Sequence, residues 1–343
     1  MRPAPGAALV AVGTFLIVGA LAMPLYVAPS LVKVPLDQSS ETVSRAENAT
    51  VLDFGTLSER SGVNLTAIRA VRGDVEAGQK ADRAVFNVGV RVTDDAGKEI
   101  TVSRDRVALD RRTAEAVACC AEDVNGTPAK HQGLTYTFPF GTEKKTYQYF
   151  DNTALKAYPA KYVGTEQLQG LTVYRFEMTV EPVKVSEIKV PGHLLGSTEQ
   201  TVDAGRYYAN TRTLWVEPAS GVIVKGQEKQ LQTLRDASGA DKIKIIDATL
   251  AFDEKTQQQQ AKAARDASQQ INLLTLIVPL AVGVLGLILV ALGALFLLRG
   301  SRRGASGASV ATDGGPNDDR PSEAADPADE PTVPAGGRHS VER

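Results

Sequence analysis

The run Asn272–Leu298, NLLTLIVPLAVGVLGLILVALGALFLL, constrains this chain more than any other stretch. It carries no charge and exceeds the roughly 20 apolar residues that cross a bilayer core at about 1.5 Å each. Pro279, Gly283, Gly286 and Gly293 interrupt it. Membrane helices tolerate such residues because neighbouring groups re-satisfy the freed backbone. Arg299, Arg302 and Arg303 follow at once. Short basic flanks stay cytoplasmic, so the run reads as a transmembrane helix with its C-terminal side inside. Everything before it must be read as a domain hung from a membrane.

The stretch Pro3–Val32 is also uncharged, and Arg2 precedes it. A cleaved signal peptide would occupy the same place. The basic start is weak, however, the apolar stretch is long, and no clear A-x-A site ends it, which favours a retained anchor. The expected organisation is a short cytoplasmic N-terminus (1–5), a first span (6–32), an extracytoplasmic domain (33–252), a polar helical stalk (253–271), a second span (272–298) and a cytoplasmic tail (299–343). Both termini then lie inside the plasma membrane. The tail is rich in Gly, Ser, Pro, Asp and Glu and lacks the apolar surface needed to fold, so it is expected to be disordered.

Between the spans lie about 240 residues, ample for a core. Ten runs there are rich in Val, Ile, Thr, Tyr and Phe and are separated by Gly, Asp and Asn: Val63–Arg72, Val85–Thr93, Glu99–Ser103, Leu134–Phe140, Lys145–Phe150, Tyr162–Leu168, Leu171–Val180, Arg206–Val216, Val222–Leu234 and Ile243–Phe252. Such runs read as strands, and a further short one is expected near Thr50–Leu57. In Val173–Val180 the residues Val173, Arg175, Glu177 and Thr179 alternate with Tyr174, Phe176, Met178 and Val180. Alternation means one buried and one wet face, as in antiparallel sheets. The expected fold is therefore mainly β, an antiparallel curved sheet or elongated barrel-like ectodomain flanked by two transmembrane helices.

Two segments echo each other. Val107–Val117 (VALDRRTAEAV) and Leu214–Val224 (LWVEPASGVIV) both read apolar-x-apolar-acid-x-x-hydroxyl-small-x-x-Val. That is the pattern of strand, tight turn and strand, with acid and hydroxyl bonding the turn amides. It suggests two related sub-units, although the first copy also suits a short helix.

The stretch Tyr136–Phe150 is the most aromatic part of the chain. As a hairpin it puts Tyr136, Phe138 and Phe140 on one face, Tyr147 and Tyr149 on the returning strand, and Lys144 and Lys145 at the tip. The plain reading is a core face with a solvated tip. The sharper one is an aromatic wall around an apolar ligand, with the lysines at an anionic head group. The single tryptophan, Trp215, joins those candidate ligand contacts.

Motifs for catalysis are missing from the sequence: no nucleophile elbow, HExxH, P-loop or Rossmann glycine set occurs. The acidic pairs Asp94-Asp95, Glu122-Asp123 and Asp253-Glu254 read as turn acids. With three histidines and a net charge of −2, neither a metal site, a cofactor nor a nucleic-acid partner is expected. The only cysteines, Cys119 and Cys120, are adjacent. They read as two buried thiols, with a vicinal disulfide as the alternative outside the membrane; neighbours close only a strained ring, which does not suit a structural staple.

The segments TFPFGTEKKTYQYFDNTA, DRRTAEAVACC and WVEPASGVIV, set between two spans, resemble the actinobacterial "PorA-like porin" family of unknown function over roughly residues 5–300. The resemblance implies a Gram-positive envelope protein. It brings an association of some relatives with the assembly of lipomannan and lipoarabinomannan, and no catalytic residues. LWVEPASGVIVKGQEKQ is also similar to a hairpin of the LolA- and LppX-type lipid carriers, in which a curved sheet wraps an apolar cavity. The expected function is accordingly non-catalytic binding of a membrane lipid or lipoglycan during envelope assembly. The alternative is an interaction scaffold for envelope glycosyltransferases. A porin is disfavoured, because membrane barrels cross with strands rather than helices.

Overall fold

The computed structural model describes residues 5–304; the expected disordered tail falls, beyond residue 304, outside the described residues. Helix α1 (Pro5–Ala22) runs on through a π-helical turn (Met23–Val27) into α2 (Ala28–Leu31). At the other end of the chain α4 (Glu254–Asn272), a second π-helical turn (Leu273–Ile277) and α5 (Val278–Gly304) follow without a break. Both assemblies are long and apolar enough to cross a membrane.

The two spans pack antiparallel, and glycines decide how close they come. A Cβ on Gly13 would lie 2.6 Å from the Gly286 carbonyl oxygen, and one on Gly6 would lie 2.9 Å from that of Gly293. The backbones therefore touch at points seven residues apart on each helix. Small residues permit such packing, and van der Waals contact drives it where hydrophobic burial cannot. Ala20 continues the seam and is buried, whereas Phe15, Val18, Leu21, Leu280, Leu287 and Phe296 point outward.

The domain between them is a single sheet of twelve strands. They are β1 (Ser39–Asp53), β2 (Ser58–Gly73), β3 (Ala84–Asp94), β4 (Glu99–Leu109), β5 (Asp123–Val124), β6 (Thr127–Pro128), β7 (Tyr147–Asp151), β8 (Lys156–Leu168), β9 (Leu171–Pro191), β10 (Thr201–Val216), β11 (Ile223–Arg235) and β12 (Asp241–Phe252). A short helix, α3 (Val75–Ala81), links β2 to β3. The order β6-β5-β4-β3-β2-β1-β12-β11-β10-β9-β8-β7 places the first and last long strands side by side. Every ladder is antiparallel. The sheet curls into a half-barrel. At one end isolated bridges carry it around from β4 to β7, through Leu109 to Ala116, Glu115 to Leu134 and Leu134 to Tyr149. The main core fills that end, and two smaller apolar clusters continue along the concave face.

Alternation sets the two faces. The row Leu214–Gly226 and the row Arg212–Glu228 share the concave side with Phe176 and Met178. The convex side carries Arg175, Glu177, Thr179, Thr211, Thr213, Gln227 and Lys229, none of them buried. A convex face of this kind suits water, not lipid.

Four hairpin turns share one design. An acid at the first position accepts from the amides two and three residues on: Asp53 from Gly55 and Thr56, Asp110 from Arg112 and Thr113, Asp151 from Thr153 and Ala154, and Glu217 from Ala219 and Ser220. The fifth residue is left-handed in each, at Leu57, Ala114, Leu155 and Gly221. Gly221 has a second reason to be glycine, since a Cβ there would sit 2.1 Å from the Phe138 carbonyl oxygen. The echoed segments are thus both strand-turn-strand, and the helical alternative for 107–117 does not occur.

Some boundaries differ from the sequence reading. Leu134–Phe140 is not a strand. The short strand placed near Thr50–Leu57 is instead the end of a long β1 and its turn. Strand β9 runs eleven residues past Val180, to Pro191. Its polar positions Lys184, Glu187 and Lys189 face outward and mask the alternation.

Helix α4 joins the sheet to the second span. The Asp253 side chain caps it by accepting from the Thr256 amide, and Thr256 Oγ1 accepts from the Val43 amide at 3.0 Å. Ala261 and Ala264 pack on Val173, Trp215 and Val224 of the convex face, and Arg265 donates to the Gln169 carbonyl at 2.8 Å. Replacing Gly286 by Leu forces the spans apart at Gly13. Overpacking of this kind costs about 1–3 kcal/mol. The thermal midpoint of the full chain in detergent should fall, while the β-sheet circular dichroism at low temperature stays unchanged. An unaltered midpoint would contradict the glycine seam.

A charged network inside the closed end

The concave face at the closed end is not uniformly apolar. On β10 the residues Arg206, Tyr208, Asn210 and Arg212 lie on the same side as Leu214 and Val216, and on β11 Glu228, Gln230 and Gln232 face them. Arg212 is the hub. Its side chain is only 12% exposed, and it meets Glu228 at 3.0 Å and the fully buried Asp151 at 3.4 Å. The Tyr208 hydroxyl donates to the same Asp151 carboxylate at 2.8 Å. Arg69, from β2, reaches Glu228 at 3.6 Å and lies over the Tyr136 ring.

From Tyr136 the network continues to the opposite edge. Its hydroxyl donates to Asp105 of β4 in a short hydrogen bond and accepts from Asn152 at 3.2 Å. His131 lies between two acids, with Nε2 2.8 Å from Asp105 and Nδ1 3.0 Å from Glu122. Its ring packs against Phe150 with centroids 4.6 Å apart.

Burial and charge act against each other throughout. Desolvation alone would lower the proton affinity of His131, but the two carboxylates outweigh it and the net direction is up. Burial raises Glu228, yet Arg212 and Arg69 bring it below the usual carboxylate range. Arg212 is held charged above its ordinary value by Glu228 and Asp151, despite desolvation. Burial pushes the phenols of Tyr136, Tyr149 and Tyr208 up; Tyr136 and Tyr208 donate to Asp105 and Asp151, while the Tyr149 hydroxyl accepts from the Tyr136 amide. Asn210 is 2% exposed and neither amide atom has a hydrogen-bond partner in the protein. Its nearness to Glu228 still helps keep that acid ionised. The arrangement ties β2, β4, β7, β10 and β11 together across the interior by charge.

The candidate ligand contacts fall into three places. Phe138 and Tyr149 are core residues at 1% and 4% exposure, with Tyr136, Phe140 and Tyr147 packed beside them. The Phe138 ring lies 5.4 Å from Tyr147, 5.8 Å from Tyr149 and 4.8 Å from Phe176. Residues 135–146 fold as an irregular segment over the closed end, pinned by the Phe138, Gly141 and Thr142 amides donating to the carbonyls of Gly221, Ala219 and Pro218. Lys144 lies over the Tyr162 and Tyr174 rings, while Lys145 pairs with Glu143. Trp215 is apart from all of these, on the convex face, donating to Glu166 and covered by Lys225. Sequence reasoning passed over Arg212, Glu228, Asp151, Arg69 and His131. A signal existed for two of them, since Arg212 and Glu228 occupy apolar-face positions in alternating strands.

Among the described residues the closed end holds no hollow for an apolar ligand, because its own side chains fill it. Among the described residues the two best-formed depressions are open clefts, one along Cys119, Glu122, Pro128 and Lys130, the other along Asp266, Gln269 and Leu273. Neither is lined by the concave face, whose closed end is filled by its own side chains.

Comparison with known proteins points elsewhere. A family model described as "Porin PorA" matches residues 5–295. A Porin PorA of Corynebacterium amycolatum is 26% identical over 85% of this chain and 98% of its own. A Porin PorA of Corynebacterium resistens is 27% identical over 88% and 98%. These matches overturn the expectation of a lipid- or lipoglycan-binding protein, together with the scaffold alternative and the setting aside of a porin.

Two outcomes test the network. Replacing Arg212 by Leu leaves the buried Asp151 without a cation and Glu228 with Arg69 alone, and breaking a buried pair in this way costs about 3–5 kcal/mol; the thermal midpoint should fall accordingly, and a neutral substitution would contradict the hub role. For His131 the folded proton affinity is raised. Its contribution is therefore complete below the unfolded value of about 6.5 and is lost as pH rises through the folded value. The thermal midpoint should decline as pH rises above that unfolded value, and less steeply in His131→Gln.

Proposed function

We propose a channel-forming role in the cell envelope for this chain, which belongs to the PorA porin family. The observation that carries the proposal is the extent of the family match, which takes in both apolar helices and the whole sheet rather than one module. The chain is a membrane protein, with two helices fit to cross. The basic residues Arg2 and Arg299 lie at the outer ends of the two spans, and this supports an orientation with both termini in the cytoplasm and the sheet outside.

Geometry supports one location for the conducting path. The strands carry polar residues on the convex face, so they do not form a lipid-embedded barrel of the kind that alternates apolar residues outward. Nor does the closed end of the sheet offer a lumen, since Phe138, Phe176, Leu134 and Val216 fill it. Within one chain the two spans touch backbone to backbone at Gly13 and Gly286, leaving no gap between them. A channel therefore runs between the helix pairs of several copies, with the sheets surrounding its outer mouth. Planar-bilayer recording on the purified full-length protein tests the reading. Discrete conductance steps are expected. A silent bilayer, under conditions where the protein is shown to have inserted, would overturn the reading.

A further inference from the structure

Cys119 and Cys120 are joined in a disulfide between neighbours, not left as the two buried thiols expected from sequence. Both residues are half-exposed. Cys119 lines the open cleft it shares with Ala121, Glu122, Pro128, Ala129 and Lys130. We propose that this bond is a reversible thiol–disulfide exchange site, and that its reduction releases the segment 117–131 from the sheet.

Three observations carry the proposal. Access comes first. The cleft reaches Cys119, and Lys130 in its wall supplies a positive charge toward an arriving thiolate, the species that attacks disulfides. The second is local backbone strain. Cys120 and Ala121 are consecutive and both left-handed, at φ 64° and 56°, a conformation non-glycine residues hold only when their surroundings impose it. The third is what the segment holds. Arg106 Nε donates to the Cys120 carbonyl at 2.8 Å while its other nitrogens bind Asn87 and Asp74. Two residues beyond Cys120, Glu122 accepts from both the amide and the ring of His131. The disulfide thus sits at the root of the segment that brings the Glu122 carboxylate to His131, opposite Asp105 on the other ring nitrogen.

The partner is a dithiol. One of its thiolates attacks the Cys119 sulfur, the Cys119–Cys120 bond breaks and Cys120 leaves as a thiolate. The second thiol of the partner then attacks the mixed disulfide. The partner departs as a disulfide, two electrons pass to the protein, and Cys119 and Cys120 each end as a thiol once protonated. With the link gone, Cys120 and Ala121 can leave the left-handed region, and Glu122 withdraws from His131.

The test uses full-length protein in detergent, with dithiothreitol as the dithiol. After alkylation with iodoacetamide, mass spectrometry of the 117–131 peptide should show no added alkyl group before reduction and two after it, without denaturant. Hydrogen exchange of residues 117–131 should then quicken by about tenfold or more, as for a segment that opens locally, while β9–β12 keep their protection. The variant Cys119→Ser/Cys120→Ser should match the reduced protein with and without dithiothreitol. Alkylation before reduction, reduction that needs denaturant, or unchanged exchange in 117–131 would each overturn the proposal. The outcome does not depend on whether the protein conducts.

Discussion

A buried guanidinium has to find its countercharge inside the protein, and in this chain that requirement organises the interior. Arg212 on β10 takes Glu228 from the next strand and Asp151 from β7 at the edge of the sheet. Asp151 in turn caps the β7–β8 turn and accepts from Tyr208. The same carboxylate therefore shapes a hairpin and neutralises the hub. Bringing β7 to Arg212 curls the sheet at this end, and the bridges through Leu134 and Ala116 complete the circuit. Hydrophobic residues then fill what remains. Charge pairs of this type contribute little net stability compared with apolar replacements, but they penalise every arrangement that leaves one member alone. They select this curl over a flat sheet.

Much of this fold was legible in the sequence, because period-two patterns survive wherever one face is wet. Val173–Val180 and Arg206–Val216 lie in strands as expected. The shared acid-to-left-handed turn was legible as well, since Asp110 and Glu217 stand at matching places in similar strings. Leu134–Phe140 misled for a physical reason. Its Tyr, Phe and Thr residues have the composition of a strand, but its amides donate to the carbonyls of the 217–221 turn rather than to a neighbouring strand. Composition reports burial there and says nothing about the hydrogen-bond partner. The network escaped for a related reason. Asp151, Arg69 and His131 are separated by tens of residues and are joined, through Arg212, Glu228, Tyr136 and Asp105, only once the sheet has curled.

The family and the architecture together restrict how a pore can exist. A porin that crosses with strands needs a lipid-facing apolar band, and these strands carry arginine, glutamate, threonine and lysine there. The apolar surface lies instead on the outer sides of the α1–α5 pair, whose inner sides are closed by glycine contacts. Helix α4 is capped into the sheet and continues into the second span. The position of each helix pair is thereby tied to its own sheet, and copies assembling through one would bring the other along. The account stands on conduction by an assembly rather than by a single chain. Native mass spectrometry of the fraction that conducts in bilayers measures this directly: the account predicts a species containing several chains, and conduction by a fraction holding only single chains would contradict it.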